Sequence, residues 1–203
     1  MDTLQLVIEF LGTFAFAISG IRWAAYKSFD WFGGYVVGLA TAIGGGTIRD
    51  VMLGVTPFWM TNSIYMICTA AALLTVIVFK KAIVRFANTW FLFDTLGLAL
   101  FTVAGLQKTL IEDFPFWVAI IMGCITGAAG GVIRDVLINE VPLIFRKEIY
   151  AMACIIGGVA YYACALLHFA PEIAAAVCFV IVVAVRLTAV KFHISLPHLH
   201  EEE

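Results

Sequence analysis

The chain has 203 residues, of which 63% are hydrophobic and 13% are charged, with a mean hydropathy of +1.03. A soluble domain carries about 25% charged residues, so this composition excludes a surface solvated by water and favours one that faces lipid. The net charge is −2 and no basic arm is present, which argues against a nucleic-acid partner. The apolar runs are about 20 residues long and do not alternate, which favours transmembrane helices over barrel strands.

Seven transmembrane helices are predicted along the chain. In order, they cover residues 4–24, 33–53, 62–79, 90–107, 115–138, 149–168 and 172–191. The connections between them are short, so the whole chain, residues 1–203, is predicted to form a single membrane domain. The polar tail at 192–203 is expected to be loose. The predicted fold class is an all-α polytopic membrane protein.

The basic residues predict how the helices are oriented. They follow the first, third and fifth predicted spans and recur near the last one, whereas the opposite side carries Lys108 and little else. By the positive-inside rule, the N-terminus lies outside and the C-terminus in the cytoplasm. Lys80, Lys81 and Arg85 form a basic cluster on the cytoplasmic side. Its default role is to set topology, and contact with anionic lipid head groups is the alternative.

The sequence contains an internal repeat. Shifted by 85 residues, it aligns with itself without gaps, so that Gly45-Gly46 meets Gly130-Gly131 and the IRDV segment at 48–51 meets the same four letters at 133–136. Chance does not readily produce so long a match, and a repeated supersecondary unit is the usual cause.

The repeat predicts a two-fold architecture. Each copy, at about 4–80 and 89–168, holds three predicted spans, and the helix at about 172–191 is extra. Because three is odd, the second copy enters the membrane from the opposite side. The halves are therefore predicted to be inverted about an axis in the membrane plane. In such proteins the transport site lies near the midplane, between the repeats.

Glycines interrupt the middle of two predicted spans. Gly44, Gly45 and Gly46 lie in the second, and Gly130 and Gly131 lie in the fifth. Each glycine in a helix interior costs about 1 kcal/mol relative to alanine, so these runs predict a kink or a short unwound stretch. The alternative is close helix packing through small residues. The two can coexist.

Four charged residues follow the glycines by one turn: Arg49, Asp50, Arg134 and Asp135. A charge inside the membrane costs a few kcal/mol and normally faces a cavity or another charge. These four are therefore candidate pore or gate charges. The alternative is a fully paired network that pins the helices.

Two acidic residues supply candidate partners for the arginines. Glu9 begins the first span and Asp94 begins the fourth, so we expect Glu9 near Arg49 and Asp94 near Arg134. If both arginines are neutralised in this way, the aspartates that follow them remain to attract cations.

Four hydroxyl side chains complete the candidate site: Ser19, Thr41, Thr47 and Thr126. They could line a narrow polar path, although such hydroxyls more often bond to their own helix. The sequence has no HExxH, GxSxG or P-loop motif and no paired His/Cys set. No enzyme activity, metal site or cofactor is predicted.

The doubled motif resembles a known family. GGGTIRDV at 44–51 and AGGVIRDVLINEVPLIFRKEIYA at 129–151 are similar to the prokaryotic relatives of the trimeric intracellular cation (TRIC) channels, also described as bacterial glycine transporters. The resemblance covers nearly the whole chain. It implies a homotrimer in a prokaryotic inner or plasma membrane, surrounded by lipid, with one potassium-permeable pore per subunit. It also implies that kinked spans two and five line the pore and that Arg49, Asp50, Arg134 and Asp135 surround its gate.

Three functions remain open at this stage. A channel needs a continuous path with weak sites. A secondary transporter of a small amino acid such as glycine would use half-helix N-termini, here at Thr47 and Val132, to bind a carboxylate. A membrane scaffold without transport activity explains the charges inside the spans poorly. We predict the channel and keep the transporter as the alternative.

Overall fold

The structure is a computed structural model that describes residues 3–79, 89–145 and 149–194. Within these ranges all regular elements are helical. The basic cluster formed by Lys80, Lys81 and Arg85 lies outside the described residues, so its contact with lipid stays a prediction.

The described ranges contain eight α-helices. They are α1 (Thr3–Tyr26), α2 (Trp31–Met52), α3 (Phe58–Thr61), α4 (Ile64–Val78), α5 (Thr89–Ile111), α6 (Phe116–Leu137), α7 (Ala151–Leu166) and α8 (Pro171–Lys191). A 3₁₀ turn at Leu143–Phe145 lies between α6 and α7. The all-helical membrane class predicted from the sequence is confirmed.

Helix length separates five of the predicted spans from the other two. By length and composition, α1, α2, α5, α6 and α8 are long and apolar enough to cross a membrane. The apolar helices α4 and α7 contain only 15 and 16 residues. At 1.5 Å per residue they reach about 22–24 Å, short of the hydrocarbon thickness of about 30 Å. The count of seven membrane crossings therefore stays a prediction.

The helix starts follow from local sequence. The carboxylate of Asp30 accepts a hydrogen bond of 2.7 Å from the backbone N–H of Gly33, which caps α2. Pro115 precedes α6 and Pro171 opens α8. Proline suits these positions because the first N–H groups of a helix have no partner within the helix.

Four helices form the centre of the molecule. α1 packs against α2 and α5, and α6 packs against α5 and α2, which closes a ring. The ring holds a buried stack of Phe16 on Phe101 with centroids 5.4 Å apart, two residues that the 85-residue shift makes equivalent. α4 packs outside on α1 and α2, α7 packs on α6, and α8 packs on α7 and α5.

The glycine runs lie inside continuous helices, because α2 and α6 are helical without interruption from Trp31 to Met52 and from Phe116 to Leu137. The prediction of an unwound stretch is therefore wrong, and Thr47 and Val132 do not begin half-helices. A bend of the helix axes at these glycines stays a prediction.

Close packing explains the glycines instead. A Cβ on Gly45 would overlap the carbonyl oxygen of Thr126, and a Cβ on Gly130 would overlap that of Thr41. The two helices therefore touch backbone to backbone, in a reciprocal contact between equivalent positions. A β-carbon on Gly44 would meet Ile133 at 2.5 Å. The crossing requires positions without side chains and does not require backbone flexibility. Both helices therefore keep their backbone hydrogen bonds through the glycines.

Adding a methyl group at the crossing should destabilise the protein. Gly45→Ala or Gly130→Ala forces α2 and α6 apart, which should lower the free energy of unfolding by about 1–3 kcal/mol or more. The matched control is Gly34→Ala in α2, where the nearest heavy atom would lie 3.9 Å away. That change should be neutral or stabilising by up to about 1 kcal/mol. Thermal unfolding in detergent measures both, and equal melting of the Gly45 and Gly34 variants would contradict the contact.

Candidate functional site

A buried charge cluster lies at the end of α6. Arg134 donates from Nε to Asp135 Oδ1 at 2.8 Å, from Nη1 to Asp94, and from Nη1 to the hydroxyl of Ser19 at 2.9 Å. Asp135 Oδ2 accepts a hydrogen bond of 2.9 Å from the backbone N–H of Leu143, where the 3₁₀ turn begins. All four polar side chains are buried. The predicted pairing of Asp94 with Arg134 is confirmed.

A related cluster lies at the end of α2. Arg49 Nε donates to Asp50 Oδ1 at 2.7 Å, and Asp50 Oδ2 accepts 2.8 Å from the backbone N–H of Phe58 at the start of α3. Lys108, near the end of α5, adds an ion pair of 2.9 Å to Asp50. The equivalent aspartates, Asp50 and Asp135, thus make the same two bonds, one to the preceding arginine and one to the next helical turn.

The predicted contact between Glu9 and Arg49 is wrong as an ion pair, since no N–O distance within 4 Å joins them in the described chain. Glu9 accepts a hydrogen bond of 2.6 Å from the hydroxyl of Tyr65. The ring of Phe58 lies 4.5 Å from the ring of Tyr65 and 5.6 Å below the guanidinium of Arg49. These two aromatic residues, rather than a direct ion pair, therefore connect Glu9 with Arg49.

The aspartates that follow the arginines are not left over for cations. Asp50 and Asp135 use both carboxylate oxygens in bonds to protein groups. A buried carboxylate needs such partners because desolvation otherwise disfavours its charge. The contacts therefore show that both aspartates are paired, although the network is not fully paired, and a gating role for the four charges stays a prediction.

Some polar atoms in these clusters have no hydrogen-bond partner among the described residues. They are Glu9 Oε1, Arg49 Nη1 and Nη2, Asp94 Oδ2 and Arg134 Nη2. Most buried polar atoms in proteins are paired. The clusters therefore retain capacity to bind further polar groups inside the helix ring.

The threonine hydroxyls are bonded to their own helices. Thr41, Thr126 and Thr47 donate to the carbonyl oxygens four residues earlier at 2.6, 2.6 and 2.7 Å. Thr41 and Thr126 are buried, and a Cβ on Gly20 or Gly105 would overlap their Oγ1 atoms. Their contacts favour helix packing over a polar path, whereas Ser19 instead joins the arginine cluster described above.

Arg186 is a buried charge that is not among the predicted site residues, because it lies near the end of the last span and is one of the basic residues used there to predict orientation. It is fully buried on α8. Its guanidinium lies 4.8 Å from the ring centroid of Tyr150 and 5.1 Å from that of Phe91. The Tyr150 hydroxyl in turn donates to Asp94 at 3.5 Å. An arginine five positions before the end of an apolar helix could have signalled this, because intramembrane charges are rarely exposed to lipid.

Comparison with known proteins agrees with this geometry. The model of a family described as "Glycine transporter" matches residues 6–81 and 91–166, two segments 85 residues apart, which is the shift of the internal repeat. A "UPF0126 membrane protein" of Vibrio cholerae is 41% identical over 97% of this chain and 84% of its own length. The "UPF0126 inner membrane protein YadS" of Escherichia coli is 38% identical over 94% of this chain and 93% of its own length.

Solved structures share the fold. A TRIC trimeric intracellular cation channel orthologue from Rhodobacter sphaeroides matches with TM-score 0.90 and 30% identity, over 95% of this chain and 100% of that one. A second TRIC cation channel matches with TM-score 0.86 and 34% identity, over 97% of this chain and 98% of that one. The class is thus an all-helical membrane protein with the TRIC channel fold. The chain belongs to the glycine transporter family of membrane proteins and is similar to UPF0126 membrane proteins.

Removing one carboxylate from the α6 cluster should be costly. Asp94→Asn leaves buried Arg134 with Asp135 as its remaining ionic partner, and breaking a buried pair costs about 3–5 kcal/mol. Lys27→Gln is the control, because Lys27 and Glu140 form a pair of 2.7 Å in which both side chains are about 30% exposed. Such a pair contributes about 0–1 kcal/mol. Unfolding in detergent measures both variants, and a loss for Asp94→Asn no larger than for Lys27→Gln would contradict this.

Proposed function

We propose that this chain is a monovalent cation channel, permeable to potassium, with one pore per subunit between α2 and α6. The observation that carries the proposal is the placement of the two charge clusters on either side of the glycine crossing. The likeness to solved TRIC cation channels over nearly the whole chain supports it.

The ion pairs indicate that the clusters lie at opposite ends of the ring. Lys27, after α1, pairs with Glu140, after α6, so α1 and α6 end on the same side. Lys108 near the end of α5 pairs with Asp50 near the end of α2. Because a short turn reverses the chain between α1 and α2, these two ends lie on the other side. This arrangement supports inverted repeats, with Arg49-Asp50 and Arg134-Asp135 facing the pore from opposite halves.

The glycine crossing is the proposed constriction. At Gly45 and Gly130 the backbones of α2 and α6 touch, which leaves no room for an ion between them, so conduction requires these helices to separate. The arginine and carboxylate atoms without partners in the described chain would then be available to water or to ions. Gly44, Gly46 and Gly131 lie beside the same crossing and are closely packed, and a bend of the helices at these glycines is the movement that we propose.

The assembly is proposed to be a homotrimer in the inner membrane of a prokaryote. The structural relatives are described as trimeric channels and the Escherichia coli relative as an inner membrane protein. The positive-inside rule places the N-terminus outside and the C-terminus in the cytoplasm, which puts the Lys27–Glu140 pair on the cytoplasmic side and the Lys108–Asp50 pair on the outer side.

Transport of glycine is the second candidate, favoured by the description of the family. A transporter of this kind would bind the substrate carboxylate at broken helix ends. The continuity of α2 and α6 through Thr47 and Val132 removes the binding site that the sequence suggested. The channel is therefore the function that the geometry supports better.

Recording from planar bilayers distinguishes the two. The purified protein should give discrete current steps across a potassium chloride gradient, reversing near the potassium equilibrium potential. Bilayers without current, together with proteoliposomes that accumulate labelled glycine, would overturn the channel and establish the transporter.

Neutralising Asp50 should reduce potassium conductance by about two- to five-fold, because one charge near a water-filled pore changes the energy of an ion by about 1 kcal/mol. Asp113→Asn is the matched control. It removes the same charge from an exposed position after α5, where φ is 60°, a conformation that asparagine tolerates. Size-exclusion elution checks that the variants are folded. Unchanged conductance and selectivity in a destabilised Asp50→Asn protein would assign the cluster a structural role.

A further inference from the structure

A cavity outside the helix ring has features that the proposed channel does not use. It encloses about 400 Å³ between the start of α1, the last turns of α5, the middle of α7 and the start of α8. Ligand pockets in proteins commonly measure about 300–1,000 Å³. Since α5 ends beside the Lys108–Asp50 pair, the cavity lies at the end of the molecule that is proposed to face outward.

Four polar side chains from four helices line this cavity: Gln5, Gln107, Tyr161 and Glu172. Gln5 and Tyr161 are only 6% and 5% exposed. The Gln107 amide lies beside the Tyr161 hydroxyl, and Glu172 is close enough to interact with that hydroxyl electrostatically. Leu110, Ile111 and Pro171 supply an apolar wall.

Gln5 is the most informative of these residues. Its side chain is more than nine-tenths buried and lines the cavity. A bound group with polar hydrogens could donate to it, because the amide oxygen accepts hydrogen bonds.

The charge of the cavity favours a cation. Glu172 is its one charged lining residue in the described chain, and no ion pair there engages it. Glu112 and Asp113 follow the lining residue Ile111 directly and are exposed, which adds negative charge nearby. The neighbouring cation Lys108 is held in an ion pair with Asp50.

We propose that this cavity binds a small organic ammonium ion with a short apolar body. The carboxylate of Glu172 pairs with the ammonium group, and the amide oxygens of Gln5 and Gln107 accept its hydrogens. The phenol ring of Tyr161 offers a face to the positive charge. The apolar body packs on Leu110 and Pro171. This binding is independent of ion conduction, so its test stands whether or not the chain is a channel.

Binding of benzylammonium by the purified full-length protein in detergent tests the proposal. Saturation-transfer NMR titrations should show saturable binding of benzylammonium and at least tenfold weaker binding of benzyl alcohol and benzoate, which share its shape without its positive charge. Glu172→Gln should weaken benzylammonium binding about tenfold, since it removes the negative partner of the ammonium group. Gln5→Leu should weaken it as well, by about threefold or more.

Glu112→Gln is the matched control, because it removes a carboxylate from the same end of the molecule without altering the cavity lining. Its affinity should stay within about twofold of the parent protein, as expected for a screened surface charge. Equal binding of benzylammonium and benzyl alcohol, or equal effects of Glu172→Gln and Glu112→Gln, would overturn the site. Calcium binding that depends on Glu172 and that benzylammonium does not displace would overturn the ligand class. Unchanged melting temperatures of the variants exclude a folding defect as the cause of lost binding.

Discussion

The backbone contact between α2 and α6 is the constraint on which the rest of the structure depends. Gly45 faces the carbonyl of Thr126 and Gly130 faces that of Thr41, so no side chain separates the helices there. In lipid, helix association depends on such close packing because no hydrophobic effect drives it. The crossing sets the distance between the two halves, closes the ring with α1 and α5, and thereby determines where both charge clusters lie.

The charge clusters are stable in this setting because Asp50, Asp94 and Asp135 each have more than one partner. Arg134 is shared by Asp94, Asp135 and Ser19, and Asp50 is shared by Arg49, Lys108 and a backbone N–H. A single buried ion pair seldom offsets its own desolvation, whereas additional hydrogen bonds can. The same bonds join the ends of α2 and α6 to the turns that follow. A movement of either helix must therefore break these bonds or move the following turn together with the helix. That coupling is why the crossing and the charges are proposed to act together in conduction.

The two halves diverge where the internal repeat alone would make them equal. The shift predicts Asp94 beside Arg134 and Glu9 beside Arg49, and only the first pair forms an ion pair within the described ranges. In the first half the residue after the cluster is Phe58, whose ring covers Arg49, whereas the equivalent residue is Leu143. Tyr65 donates to Glu9 as its equivalent Tyr150 does to Asp94, whereas Lys108 joins only the first cluster, because the equivalent position in the first repeat holds Trp23. Such differences depend on how side chains of different shape pack between neighbouring helices. The alignment of the two repeats does not determine that packing.

By itself, the sequence determined the membrane class, the helix positions to within a few residues, the doubled motif and several of the charges that cluster, because hydropathy and repetition are local and additive along the chain. Tertiary structure alone decided how the glycines are used. A run of glycines permits both an unwound segment and a close crossing, and the choice depends on whether another backbone lies opposite. Tertiary structure also revealed the burial of Arg186 against Tyr150 and the cavity around Gln5 and Glu172, since both join residues from helices far apart in sequence.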